Sequence, residues 1–345
     1  MKKRTFFSCF FIGMILLLAL IFGAFYLKYP SVFWERLLPI PKGPEVAVSI
    51  KPGMSARDSA RAFFEEGALT DSPAALARWM ARFGIDRKLQ PGIYRLVRGD
   101  AWNVARQLKV TRPAVFKLTL VPGTDIFSLR ELFDDEETPS TSSEDSVTLA
   151  LMDDLNYPEA MRPCLFPTEE GRLSLLLPET YFVAEKTPDA LVRLASASWW
   201  SCYEAQALSL TSADLLKAAT IASMVQREAL WDSERPAIAS VIKNRIQKKM
   251  PLQIDATVVY AWKLKGRKVT RVLYSDLSLK SPYNTYWAPG LPPAPICAPS
   301  LASWEAALGS EKNDYYYYVA KKDGYHYFAK TYAEHRKNIR KARAK

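Results

Sequence analysis

The hydrophobic pattern begins with one long apolar run at the amino terminus. Three cations at residues 2–4 precede an uncharged, strongly apolar run over residues 5–27. About 20 such residues are enough for a helix to cross the hydrocarbon core of a membrane, and the run exceeds the roughly 7 to 15 apolar residues of a cleaved signal peptide. Because cations mark the cytoplasmic end, the pattern predicts a single transmembrane helix within residues 1–28, with the working part extracytoplasmic.

The next segment changes from an irregular to an alternating pattern. Four prolines within residues 29–44 predict a stalk. Residues 45–110 combine a strand pattern of period two at 46–50 with amphipathic helical stretches at 55–66 and 73–83. The size and the element pattern predict a small α+β module, in which no catalytic constellation is visible.

The strongest helical pattern lies in the remaining region, residues 111–345. A helix predicted at 213–229 is apolar on nearly all faces. At 100° per residue Glu228 lies about 20° from Ile221 around the helix axis, so its side chain projects from an apolar face of the helix. Desolvation would raise its pKa and make it a candidate general acid. Spacing alone favours a simpler explanation, which is an ion pair with Arg227, Arg235 or Arg245.

Two segments after this helix carry candidate ligand groups. A helix is predicted from Ser233 to Lys249, followed by an extended segment at 252–257 with Gln253 and Asp255 on one side. Asp255 fits a substrate contact and a helix cap equally well.

A proline-stiffened loop over residues 281–296 contains aromatic, amide and hydroxyl groups. Aromatic faces stack on sugar rings, and amides bind hydroxyl and acetamide groups, so the loop is typical of a carbohydrate cleft. A stiff surface loop explains the composition about as well. The candidate residues are Ser281, Tyr283, Asn284 and Tyr286.

The carboxyl-terminal pattern predicts a hairpin and a basic helix. Alternation on both sides of a Lys-Asp-Gly turn predicts the hairpin within residues 315–329. A capping box at 331–334 opens a terminal helix with six cations. His326 and His335 flank that junction, and a lone histidine is more often structural than catalytic. The basic end suits a solvated face that also meets anionic polymer or lipid.

Composition limits the classes of function. The 345 residues, 49% of them hydrophobic and 24% charged, predict about two folded units. A net charge of +11 favours contact with polyanions. With two histidines, four cysteines and no C-x-x-C or H-E-x-x-H pattern, we expect no metal and no cofactor. An acidic stretch at 134–146 with proline and serine predicts an exposed loop insertion.

The cysteines are widely spaced. Cys9 lies in the apolar run, which leaves Cys164, Cys202 and Cys297 in the exported part. Three buried thiols are the favoured prediction, and one disulfide is the alternative.

Six motifs occur in an order that resembles the MltG-like (YceG-like) endolytic murein transglycosylases. The resemblance is strong over residues 215–338 and weaker over 46–109, which is similar to the LysM-like module of that family. The motifs are Ile-Ala-Ser-Met-Val-Gln-Arg-Glu at 221–228, Ile-Ala-Ser-Val-Ile-Lys-Asn-Arg at 238–245, Leu-Gln-Ile-Asp-Ala-Thr at 252–257, Ser-Pro-Tyr-Asn-Thr-Tyr at 281–286, Gly-Leu-Pro-Pro at 290–293 and Tyr-Ala-Glu-His at 332–335.

The resemblance implies a membrane-tethered α+β enzyme that cuts peptidoglycan glycan strands between N-acetylmuramic acid and N-acetylglucosamine. Glu228 would protonate the glycosidic oxygen and then take the proton of the muramoyl 6-hydroxyl, which closes a 1,6-anhydro ring without water. Termination of nascent strands in the cell inner membrane, with peptidoglycan synthases as candidate partners, follows from the same resemblance. The implied substrate-binding residues are Gln253, Asp255, Ser281, Tyr283, Asn284, Tyr286 and His326.

The departure from the family pattern that bears on the catalytic residue is at Gln226, and three alternative functions remain open. Gln226 stands where many relatives have a glutamate, and we interpret the later Glu228 as the acid. A muramidase would use Glu228 as acid and Asp255 as base for a water molecule. A glycan-binding scaffold would have no activity, and a nucleic-acid binder is disfavoured because the working part is predicted to be exported.

Overall fold

A computed structural model describes residues 39–51, 53–134, 143–309 and 311–344. The predicted transmembrane helix lies outside the described residues, as do most of the stalk and most of the acidic insertion. Within the described ranges, no helix combines the length and the apolar character needed to span a membrane. The chain divides into two compact units, with the boundary between Val115 and Phe116.

The first unit is built on one antiparallel strand pair with helices between the strands. Strands β1 (Glu45–Ile50) and β2 (Gly92–Val97) pair antiparallel, with Glu45 opposite Val97. Helices α1 (Ala56–Glu65) and α2 (Pro73–Phe83) connect them, and α3 (Ala101–Val110) follows. The alternating positions of the strands and the apolar faces of the helices meet in one core that includes Val48, Ile50, Phe63, Leu76, Met80, Tyr94, Leu96 and Val104.

The second unit is mostly helical, and its described residues contain two short antiparallel strand pairs. Strand β3 (Phe116–Thr119) pairs with β4 (Thr180–Val183), and β5 (Tyr317–Ala320) pairs with β6 (His326–Ala329). The helices are α4 (Ile126–Glu131), α5 (Ser143–Met152), α6 (Glu169–Ser174), α7 (Pro188–Ser209), α8 (Ser212–Glu228), α9 (Arg235–Gln247), α10 (Asp255–Lys263), α11 (Leu301–Leu308) and α12 (Tyr332–Arg343).

Helix α8 lies in the core of this unit, as its pattern predicts. The Thr211 side chain caps it by accepting a hydrogen bond from the Asp214 N–H. Apolar residues on several faces of the helix are buried, among them Leu215, Ala219, Ile221, Met224 and Val225. Because the helix is fixed by packing on several sides, its last residue, Glu228, is held in a defined position.

The mixture of helix and sheet confirms the predicted α+β class. The capping box at Thr331 is also confirmed, because Thr331 and Glu334 exchange both hydrogen bonds. The predicted helix start at Ser233 is wrong: a 3-10 turn spans Asp232–Glu234, and α9 begins at Arg235. A proline in the first turn suits this late start.

The cysteine prediction is confirmed for two of the three cysteines that the structure describes. Cys164 and Cys297 are buried free thiols. Cys202 is also a free thiol, but it is exposed on α7, so the expectation of three buried thiols is wrong at this position.

Candidate active site

Glu228 is the last residue of α8, and the chain leaves the helix at Ala229. Its Oε2 atom accepts a hydrogen bond of 3.0 Å from the hydroxyl of Tyr318 on β5. Burial raises the pKa of the Glu228 carboxyl; the hydrogen bond from Tyr318 opposes this rise, and the charge of Asp255 adds to it. A carboxyl in this setting holds its proton at higher pH than usual, which suits a general acid.

The tyrosine that binds Glu228 is itself held by a histidine and a second carboxylate. The ring of His326 meets the ring of Tyr318 edge to face, with centroids 5.3 Å apart. Glu234 accepts a hydrogen bond from the His326 backbone N–H and pairs with His326 Nδ1, both at 2.9 Å. The imidazole is only 5% exposed. His326 therefore lies beside the site but supports Tyr318 rather than offering its ring to solvent.

Asp255 begins α10 and is exposed, so it is available to a ligand. Its Oδ1 atom accepts a 2.6 Å hydrogen bond from the hydroxyl of Tyr286. Burial raises the pKa of Tyr286, and the hydrogen bond to Asp255 raises it further, so this hydroxyl remains a donor. The structure thus brings together Asp255 and Tyr286, which were both predicted as site residues. The charge of Glu228 is near enough to raise the pKa of the Tyr286 hydroxyl.

The backbone before Asp255 is held in an unusual conformation. Gln253 has φ of 53°, in the left-handed region that residues other than glycine seldom adopt. Its N–H donates to the Thr285 carbonyl at 3.2 Å, and the next N–H, of Ile254, donates to Thr285 Oγ1 at 2.9 Å. The side chain of Gln253 is exposed. These bonds offset the strain and fix Gln253 and Asp255 against the loop that carries Tyr286.

A single arginine ties the two halves of the site together. Arg245 on α9 donates from Nε to the Tyr316 carbonyl at 2.6 Å and from Nη1 to the Leu252 carbonyl at 2.7 Å. The first bond anchors the strand that carries Tyr318, and the second anchors the segment that leads to Asp255. The planar guanidinium makes these bonds from two separate nitrogens in a fixed geometry, whereas a lysine would have to make both from one nitrogen.

Three predicted substrate-binding residues belong instead to the framework of the loop. Asn284 is fully buried; its Nδ2 donates to the carbonyls of residues 277 and 279 at 2.9 and 2.8 Å, and its Oδ1 accepts from the Tyr286 N–H. Ser281 is buried within the same turn, where its Oγ accepts from the Tyr283 N–H. The expectation that these side chains contact substrate is corrected, because they have almost no accessible surface.

The expectation that Tyr283 contacts substrate is corrected for the same reason. It is 8% exposed, its ring packs against Tyr260 with centroids 5.1 Å apart, and its hydroxyl points to Glu170. The loop therefore offers Tyr286 to the site and keeps Tyr283 in the core.

Gln226 also proves to be structural. Its Oε1 accepts hydrogen bonds from the Ser300 N–H at 3.0 Å and from Ser303 Oγ at 2.9 Å. The same oxygen accepts a hydrogen bond from Arg235 Nη1 at 3.3 Å. Gln226 thus joins α8 to the start of α11, while Glu228, two residues later, meets Tyr318.

Sequence reasoning missed the roles of Tyr318 and Glu234. The hairpin register contains a usable signal for Tyr318, since Tyr318 lies opposite Phe328 and His326 is two residues from Phe328 on the same face. Glu234 has no such signal, because its partner His326 is 92 residues away.

The cluster can perform acid and base chemistry at one carboxyl group. Glu228 has a raised pKa, Tyr318 orients its carboxyl group, and Asp255 supplies a second, accessible carboxylate. In the part of the chain that the structure describes, no group of three or more His, Cys, Asp or Glu side chains has an arrangement that could hold a metal ion.

Fold and site together define an α+β protein whose chemistry centres on one half-buried carboxylic acid beside an accessible carboxylate. The chain belongs to the YceG-like family, whose sequence model matches residues 48–341.

Three similar proteins, two with a curated name and one with a solved structure, support this family assignment. The endolytic murein transglycosylase of Bacillus subtilis (strain 168) is 31% identical over 324 residues, which cover 87% of this chain and 86% of that protein. The endolytic murein transglycosylase of Streptococcus pneumoniae (serotype 2, strain D39) is 32% identical over 173 residues, covering 48% of this chain and 31% of that protein. The crystal structure of a yceG-like protein from Listeria monocytogenes has a TM-score of 0.54 and 26% identity, covering 85% of this chain and 98% of that chain.

Proposed function

We propose that this chain is a lytic transglycosylase that cuts peptidoglycan glycan strands internally, between N-acetylmuramic acid and N-acetylglucosamine. The observation that carries the proposal is the Glu228 carboxyl, whose pKa is raised by burial and whose Oε2 is bound by Tyr318. The names of the Bacillus and Streptococcus relatives support the substrate and the reaction.

In this reaction Glu228 acts twice. As an acid it protonates the glycosidic oxygen, and the bond to the anomeric carbon of the muramoyl sugar breaks. As a carboxylate it then removes the proton of the muramoyl 6-hydroxyl, whose oxygen closes the 1,6-anhydro ring. Asp255, held by Tyr286, places negative charge near the positive charge that develops on the sugar. Glu228 ends the cycle protonated, as it began.

The cellular setting belongs to the same proposal. The apolar amino-terminal run tethers the protein as a single span in the inner membrane, with the catalytic unit outside the cytoplasm. The order β1, α1, α2, β2 supports a LysM-like role for the first unit. Termination of nascent strands beside peptidoglycan synthases is consistent with that position.

Product analysis tests the reaction. Uncross-linked peptidoglycan glycan is incubated with purified full-length protein, either wild type or Glu228→Gln. The masses of the products are then measured by mass spectrometry. We expect 1,6-anhydro ends from the wild type and at least a thousandfold less product from Glu228→Gln. Reducing ends would instead identify a muramidase that uses Asp255 as base, and intact glycan with both proteins would leave a binding scaffold.

A further inference from the structure

An exposed aromatic pair lies next to the site and has no part in the chemistry described above. The rings of Trp231 and Tyr325 stack with centroids 5.4 Å apart and an angle of 17° between their planes. Trp231 is 43% exposed and Tyr325 37% exposed, and the neighbouring Leu230 is more exposed still. Exposed apolar surface of this kind marks binding sites more often than isolated exposed residues do.

The pair is rigidly built. The indole Nε1 of Trp231 donates to the Asp323 carbonyl at 3.1 Å. Leu230 packs over Gly324, which has φ of 82° and where an added side chain would collide with Leu230. The Lys321 ammonium lies 5.0 Å from the centre of the Tyr325 ring. These contacts lock the aromatic faces in place, so little entropy is lost when a ligand binds to them.

Two segments of the chain place the pair close to the catalytic carboxyl. Trp231 follows Glu228 by three residues, so their Cα atoms are at most about 11 Å apart. Tyr325 directly precedes His326, whose ring contacts the tyrosine that binds Glu228. A polymer that is cut at Glu228 extends away from the site in both directions and must pass over neighbouring surface.

We propose that Trp231 and Tyr325, with Leu230 at their border, form a subsite that binds one N-acetylhexosamine ring of the glycan strand beyond the bond that is cut. The inference rests on the proposed function. The apolar face of a pyranose ring stacks on an aromatic face. The Lys321 ammonium donates to Asp323 Oδ2 at 3.2 Å and has further N–H donors for the hydroxyl and acetamide oxygens of the sugar.

The test compares short and long soluble glycan strands with the full-length protein. Binding is measured with Glu228→Gln, which retains the substrate, and turnover is measured with Glu228 intact. Adding Trp231→Ala should weaken binding of long strands about three- to tenfold, as expected for one lost stacking contact. Strands too short to reach the pair should bind equally well with and without Trp231, and Trp231→Phe should recover most of the loss.

Tyr274→Ala is the matched control, because Tyr274 is 94% exposed on a separate 3-10 helix and should leave both strand lengths unaffected. The subsite would be overturned if Glu228→Gln bound long strands equally well with and without Trp231→Ala. It would also be overturned if Trp231→Ala weakened the binding of short and long strands alike. If wild-type protein binds long strands in a Trp231-dependent way but cuts none, the proposed reaction fails and the sugar subsite stands.

Discussion

At the scale of single residues, burial raises the pKa of Glu228, and neighbouring groups then adjust that pKa in opposite directions. The hydrogen bond from Tyr318 lowers the pKa of Glu228, and the charge of Asp255 raises it. His326 and Arg227 also face this carboxyl and favour its charged form. A general acid must be protonated to begin the reaction, so the pKa of Glu228 sets the alkaline limit of activity.

Two substitutions should therefore move that limit in opposite directions. Tyr318→Phe removes a bond to the charged form, so the pKa of Glu228 rises and the alkaline limb of kcat against pH moves upward, while kcat falls about 10- to 100-fold. Asp255→Asn removes the repulsion, so the pKa falls and the limb moves downward. Both are measured as pH profiles of anhydro-product release.

The matched control for these profiles is Tyr315→Phe, which changes a hairpin tyrosine that packs on Phe328 instead of on Glu228. Its profile should coincide with that of the wild type. Shifts of the same sign for Tyr318→Phe and Asp255→Asn would contradict the assignment of Glu228 as the titrating acid.

At the scale of elements, the loop over residues 281–286 depends on Asn284. This amide satisfies two backbone carbonyls and one backbone N–H inside the protein. Asn284→Ala leaves these groups unpaired, at a cost on the order of 3 kcal/mol. We expect a lower midpoint in urea unfolding and weaker glycan binding, because Tyr286 and its partner Asp255 lose their fixed positions.

Asn338→Ala is the control for that substitution. The Asn338 amide makes a single 3.2 Å hydrogen bond to the Phe328 carbonyl on a partly exposed helix. We expect about 1 kcal/mol of destabilisation and normal glycan binding. If Asn284→Ala were as stable as Asn338→Ala, the loop would not depend on the amide as described.

The elements that sequence predicts well are those specified by neighbours in the chain. The capping box at Thr331 and the hairpin alternation around Gly324 use contacts a few residues apart, and both form as predicted. Asn284 was predicted to contact substrate because its type suits a sugar, but burial assigns it to the loop framework. Only folding reveals whether a polar side chain points to solvent or to unpaired backbone, so composition alone cannot separate these roles.

At the scale of the whole molecule, all described catalytic groups and the aromatic subsite lie in the second unit, residues 116–345. The first unit contributes none of them. A division between a compact module and a catalytic unit suits an enzyme that works on a polymer outside the cytoplasm, since one part can hold or space the chain while the other cuts. The proposed function requires the catalytic unit to lie outside the cytoplasm, so its side of the membrane is decisive for the proposal.

The exposed thiol of Cys202 gives a direct measurement of that side. Cys164 and Cys297 are buried, and burial raises the pKa of Cys297 to about 12, which makes it unreactive. In intact cells stripped of their wall, a membrane-impermeant maleimide should label the wild-type protein, and Cys202→Ser should abolish the label. Labelling that requires lysis would place the catalytic unit in the cytoplasm, away from peptidoglycan, and would contradict the proposed function.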